Sequence, residues 1–172
     1  VNPNLPIEYE LSYQQKNEIY KICKKNKTIV VYDEAYYHFG GKSEITNSLN
    51  KDIIVMRTFS KAWGLPSIRL GFLVTNKKLR NYLAKCRSLV ETNALSYQVA
   101  MWALKNKSIL KNHVNQIKNG SKYLIREFQR INQPFFGGKV TNAMLVKLKS
   151  KKEVDNLKKY LEKKKIYIRT NF

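Results

Sequence analysis

The chain has 172 residues, 43% of them hydrophobic, which is enough for one domain, or a domain and a half, around a real core. Thirty-three Lys and Arg against 12 Asp and Glu give a net charge of +21, but the lysines are spread over nearly every expected helix and no nucleic-acid motif is present, so no nucleic-acid partner is expected. No apolar run approaches the ~20 residues needed to cross a bilayer, and the first residues lack the layout of a signal peptide, so a soluble cytoplasmic chain with no membrane partner is expected.

Val1-Asn2-Pro3-Asn4-Leu5-Pro6 opens with turn chemistry and without Met, as a piece of something longer would. Ser12 with Gln15 three residues on has capping-box spacing, and Ile19, Ile22 and Cys23 give one apolar helical face ending in Lys24 and Lys25. Thr28 to Tyr32 is a β-branched run of the kind buried on both faces, and after a helix it predicts a parallel sheet. Asp33 and Glu34 follow at its C-terminal end, the edge where ligands lie in open α/β sheets. Asp33 could be a turn residue or cap; the position equally suits a functional one. Tyr36 is three residues beyond Asp33, and Gly40-Gly41 then makes a turn.

The next strand is expected over Asp52 to Arg57 and another over Leu70 to Val74. Between them lies Ser60-Lys61-Ala62-Trp63-Gly64-Leu65-Pro66-Ser67-Ile68-Arg69, where one lysine sits between a hydroxyl and a guanidinium in an otherwise apolar or small segment. With 33 basic residues in the chain, most lysines are solvated surface. Lys61 stands out because Thr58 and Ser60 offer hydroxyls for phosphate oxygens, and Arg69 can grip a phosphate with two parallel hydrogen bonds. Loops on a rigid sheet are also where catalytic groups tend to be placed.

Asn76 is expected to cap a helix through Leu79, Tyr82 and Leu83. Glu91 to Ser96 reads as polar and irregular and Tyr97 to Leu104 as a short apolar helix, with Met101 and Trp102 in a core or an interface. Leu110, Val114, Ile117, Leu124, Phe128 and Ile131 predict a long amphipathic helix that runs across Gly120 into a second domain. Gln133 to Gly138 breaks it, after which Ala143–Leu148 is expected as a strand, Val154, Leu157 and Leu161 as a helix face, and Ile166–Arg169 as a returning strand. Cys23 and Cys86 lack metal-type spacing, and His38 and His113 stand alone, so free thiols and no metal site are expected.

Three signatures stand in order along this chain: Asn2-Pro3-Asn4-Leu5-Pro6, then Asp33-Glu34-Ala35-Tyr36, then Ser60-Lys61 with Arg69 eight residues past the lysine. In these the sequence resembles the fold-type I pyridoxal-phosphate enzymes, and within them the histidinol-phosphate aminotransferase branch of the class I/II aminotransferases. The resemblance implies an α/β fold: part of a large, mixed, mostly parallel sheet domain over 1–108, followed by part of a small α+β domain over 109–172. It implies pyridoxal 5'-phosphate as cofactor, held by Lys61 as a Schiff base, with Asp33 on the pyridine nitrogen and Tyr36 on the ring's phenolic oxygen. Ser60, Arg69 and Thr58 would bind the cofactor phosphate, and Arg169 would meet an anionic substrate.

The family's loop reads Asn-Pro-Asn-Asn-Pro-Thr-Gly; here Leu5 replaces the asparagine that contacts the ring oxygen, Ile7 and Glu8 replace Thr-Gly, and Asn4 is the candidate stand-in from one residue earlier. The likeness covers about half of a family chain, so a fragment that binds cofactor poorly alone is expected, with the activity belonging to a homodimeric parent enzyme. The implied reaction is amino transfer between a phosphorylated amine or amino acid, histidinol phosphate first, and 2-oxoglutarate/glutamate. A decarboxylase of a phosphorylated amino acid is the alternative on the same fold. A catalytically inactive basic binding protein is the alternative from another class.

Overall fold

The computed structural model describes residues 1–88 and 92–170. Three strands form the first sheet: β1 (Val30–Asp33), β2 (Ile53–Thr58) and β3 (Gly71–Val74), in the order β1-β2-β3. β1 and β2 run parallel, with Val30 opposite Ile53 and Asp33 opposite Met56; β3 returns antiparallel, with Thr58 opposite Gly71. The mixed sheet therefore puts residues 59–70, and Lys61 among them, on the loop joining β2 to β3.

Helix α1 (Tyr13–Lys25) has the anticipated capping box: Ser12 Oγ accepts from the Gln15 N–H, and Gln15 Oε1 accepts from the Ser12 N–H. It lays Ile19, Tyr20 and Cys23 on a core of Val30, Tyr32, Ile53 and Val55. Ile22, expected on this face, is exposed. β1 also departs from burial on both faces, because α1 covers only the side of Val30 and Tyr32 and leaves Val31 51% exposed.

A buried ion pair ties the ends of β1 and β2 together. Glu34 is 2% exposed, and its Oε2 accepts from Arg57 Nε and Nη2 at 3.1 and 2.9 Å and from Ser43 Oγ at 2.9 Å, while Oε1 takes the Glu44 N–H at 2.6 Å. The guanidinium also lies 3.9 Å from the centroid of the Tyr37 ring. Removing one partner of such a pair leaves an unpaired buried charge, so Arg57→Met should lower stability by about 3–5 kcal/mol in urea denaturation. Adding Glu34→Leu to it should recover only part of that loss, because the Glu44 N–H and the Ser43 hydroxyl then lose their acceptor.

A single-turn helix, α2 (Ile45–Ser48), lies between β1 and β2. Asn76 Oδ1 accepts from the Leu79 N–H and starts α3 (Lys77–Lys85), as anticipated, with Tyr82 exposed. α4 (Ala94–Lys105) begins earlier than periodicity suggests, because Asn93 Oδ1 caps it by accepting from the Ser96 N–H. Glu91, read as part of an irregular stretch, lies outside the described residues. Ala100 and Ala103, not Trp102, form the inward face of α4; Trp102 is 57% exposed and so is not core.

α5 (Ser108–Arg130) is the long helix anticipated across Gly120. Near its start Leu110, Val114 and Ile117 pack with Tyr36, Phe39 and Ala62, and near its end the Phe128 ring meets Phe135 at 5.5 Å between centroids. Phe135 begins β4 (Phe135–Gly137), a strand inside the stretch expected only to break the helix. It pairs antiparallel with β5 (Met144–Val146), and α6 (Lys151–Lys163) follows, capped by Ser150. Residues 166–170 form no strand. The Ile166 N–H is drawn back to the Leu161 carbonyl at 2.9 Å and Lys165 adopts φ +58, so this segment closes α6 instead of pairing with β5. No helix among the described residues is long and apolar enough to cross a membrane.

Candidate active site

Adjacent residues at a strand end face opposite ways, and that separates the two acids after β1. Glu34 turns inward to Arg57, while Asp33 remains half-buried with Oδ1 accepting from the Ala35 N–H at 2.9 Å. Asp33 Oδ2 takes no hydrogen bond among the described residues. One carboxylate is thus spoken for and the other is available.

The lysine loop is pinned on two sides by its apolar residues. Ala62 is buried with Tyr36, Phe39 and Val114; Phe59 and Trp63 are buried against Ala100 and Ala103 of α4. Fully burying a large side chain contributes roughly 1.5–3 kcal/mol, so these anchors fix the backbone on both sides of Lys61. Lys61 itself is half-buried, and its Nζ lies 5.6 Å from the Tyr36 ring centroid with no carboxylate or hydrogen-bond partner among the described residues. Tyr36 is buried.

His113 of α5 completes this support, and sequence reasoning missed it because a single histidine on a helix carries no local pattern. Its Nδ1 lies 2.8 Å from the Ala62 carbonyl, an acceptor, so Nδ1 carries the proton and donates. The ring lies against Gly64, at φ +68, where an added Cβ would come 3.1 Å from His113 Cε1. His38 stacks edge-on against Trp63 at 6.1 Å; burial, and then the Arg57 charge, lower its pKa from the ordinary histidine value.

The N-terminal loop comes to the same place. Asn2 donates its N–H to the Asp33 carbonyl at 2.9 Å and accepts from the Leu11 N–H, while Leu5 packs on the cluster of Tyr36, Phe39 and Ala62. Asn4 is paired both ways with Tyr9: its N–H donates to the Tyr9 carbonyl and its Oδ1 accepts from the Tyr9 N–H at 2.8 Å. The Asn4 Nδ2 donors take no partner among the described residues.

The remaining candidates have different surroundings. Thr58 Oγ1 is engaged in the turn, accepting from the Ser60 N–H at 3.0 Å and donating to the Leu70 carbonyl at 3.4 Å. Ser60 is half-buried beside Lys61. Arg69 is exposed at φ +50, with Nη1 donating to the Pro66 carbonyl at 2.9 Å; its Nε and Nη2 take no partner among the described residues. Arg169 lies exposed in the irregular segment after α6.

The fold is similar to histidinol-phosphate aminotransferase from Sinorhizobium meliloti in complex with pyridoxal-5'-phosphate, with a TM-score of 0.80 at 22% identity over 98% of this chain and 47% of that one. It is equally similar to L-threonine-O-3-phosphate decarboxylase from Porphyromonas gingivalis, with a TM-score of 0.80 at 23% identity over 98% of this chain and 52% of that one. Those likenesses define the architecture as that of fold-type I enzymes. Residues 9–172 match the family described as aminotransferase class I and II, and the chain belongs to that family. Histidinol-phosphate aminotransferase from Thermoanaerobacter sp. (strain X514) is 37% identical over 150 residues, which is 86% of this chain and 41% of the relative. The Pyrococcus furiosus enzyme of the same name is 33% identical over 136 residues, 78% of this chain and 39% of the relative. The chain thus spans about two-fifths of the length of these curated relatives.

Proposed function

We propose that the parent enzyme of this chain is a homodimeric pyridoxal 5'-phosphate-dependent aminotransferase acting on a phosphorylated amine or amino acid, histidinol phosphate first, with 2-oxoglutarate/glutamate as the other pair. The observation that carries this reading is the 37% identity to a histidinol-phosphate aminotransferase across a stretch of 150 residues. The donor set fits the cofactor: among the described residues, a half-buried amine without a counter-charge, a carboxylate with one oxygen available, a guanidinium with open donors and a serine hydroxyl.

When bound, the cofactor supplies the electron sink that stabilises charge left on a substrate carbon after proton loss. Lys61 Nζ would hold it and, once released, would serve as the base that takes and returns a proton at its own nitrogen. Asp33 would keep the pyridine nitrogen protonated by placing a carboxylate charge beside it. Tyr36 and the Asn4 Nδ2 would be the donors to the phenolic oxygen, Asn4 standing in where Leu5 cannot. Ser60 and Arg69 hold the phosphate, and Thr58 shapes the turn that presents Ser60. Arg169 meets the anionic substrate. His113 and the buried Phe59, Ala62 and Trp63 keep the lysine loop in place.

The test is turnover by the purified parent enzyme. Glutamate formed from histidinol phosphate and 2-oxoglutarate, or consumed with the corresponding oxo phosphate in the opposite direction, supports the proposal. Release of carbon dioxide from a phosphorylated amino acid in place of amino transfer replaces it with the decarboxylase. Absence of cofactor absorbance after incubation with pyridoxal phosphate replaces it with a basic binding protein.

A further inference from the structure

Glu8 joins two segments more than 130 positions apart in sequence. Its Oε2 accepts from the Lys139 N–H at 2.8 Å, and its Oε1 accepts from the Val140 N–H at 3.1 Å, the Thr141 N–H at 2.7 Å and the Thr141 hydroxyl at 2.6 Å. Three successive backbone amides turned on one anion make a nest, and hydrogen bonds to a charged acceptor are about twice as strong as neutral ones. Thr141 is 2% exposed, so these bonds are shielded from water on its side. Glu8 adopts φ +60, a conformation that costs a non-glycine residue roughly 1–2 kcal/mol and that the four bonds offset.

What the carboxylate holds is the loop of Asn4 and Leu5. Glu8 lies inside the ring closed by the two Asn4–Tyr9 hydrogen bonds, so Asn4 cannot shift without it. The opposing turn, between β4 and β5, is in turn close to that loop, for a Cβ added to Gly137 would lie 3.0 Å from the Pro6 carbonyl oxygen. Leu5 lies against Tyr36 and Ala62 at the other side of the loop.

We infer that Glu8 is a positioning residue: by seating its carboxylate in the 139–141 nest, it clamps the Asn4–Leu5 loop between the β4–β5 turn and Tyr36 and so sets the depth of the cofactor pocket. The inference rests on the reading of Lys61, Asp33 and Tyr36 as that pocket.

The test uses Glu8→Gly, which relieves the backbone conformation and empties the nest, and Glu8→Gln, which keeps the shape, both in the parent enzyme. Amide exchange at 139–141 should quicken in Glu8→Gly, and pyridoxal phosphate should bind about tenfold more weakly, the loss of one to two charge-assisted hydrogen bonds. Added formate or acetate, filling the vacated nest, should slow the exchange again in Glu8→Gly but leave its cofactor affinity low, because a free anion does not tie the nest to the Asn4–Leu5 loop. Wild-type uptake of cofactor with unchanged affinity in both variants overturns this inference alone, whatever the exchange shows. A wild-type enzyme that takes up no cofactor overturns the pocket reading, and this inference with it.

Discussion

Lys61→Ala should remove the visible absorbance of a lysine-linked cofactor and lower amino transfer by at least about 10³-fold, while the melting temperature stays close to that of the wild type. Both halves of this expectation come from the same geometry. Lys61 Nζ has no carboxylate and no hydrogen bond among the described residues, and its contact with the Tyr36 ring, at 5.6 Å, is worth about 0.5–1 kcal/mol. The loop is held by Phe59, Ala62, Trp63 and the His113 bond to the Ala62 carbonyl, none of which involves the lysine side chain. Absorbance before and after added pyridoxal phosphate, turnover, and a thermal scan on the parent enzyme check it. Turnover at the wild-type rate would remove Lys61 from the chemistry altogether.

Local patterns carried much of this architecture into view before any coordinates. The Ser12–Gln15 capping box, the Asn76 cap and the β-branched runs of β1 and β2 are each written within a few residues, and each formed, β1 starting two residues later than expected and β2 one. The site signatures are local too, since Asp33–Tyr36 and Ser60–Lys61 each occupy one short loop. What stayed illegible depends on partners distant in sequence. Glu34 and Asp33 read alike until Arg57 claims one of them across the sheet. His113 lies 51 positions from the carbonyl it holds, and the Glu8 nest is formed by backbone amides, which no side-chain pattern marks. Short strands fail for a related reason. Phe135–Gly137 exists because β5 pairs with it, and Ile166–Arg169, equally apolar, is not a strand because the end of α6 takes the Ile166 N–H.

The division of labour between Asp33 and Glu34 makes the second large effect specific. Asp33→Asn should lower kcat by roughly 10³-fold while pyridoxal phosphate affinity falls by less than about tenfold. Asparagine has the shape of aspartate and retains an oxygen to accept from the Ala35 N–H, so the loop after β1 keeps its form. What it loses is the negative charge that, in the proposed site, would hold a proton on the pyridine nitrogen and so keep the ring able to take electron density. Glu34 cannot compensate, because its carboxylate is bonded to Arg57, Ser43 and the Glu44 N–H on the opposite side of the strand. The neighbouring substitution Glu34→Gln should therefore act in the other sense: it leaves the Arg57 guanidinium buried without its counter-charge and lowers stability by several kcal/mol with little change in kcat per folded enzyme. Steady-state kinetics, cofactor titration and urea denaturation of the two variants, side by side, separate these roles. If Asp33→Asn turns over normally and Glu34→Gln does not, the carboxylate at the ring nitrogen has been assigned to the wrong member of the pair.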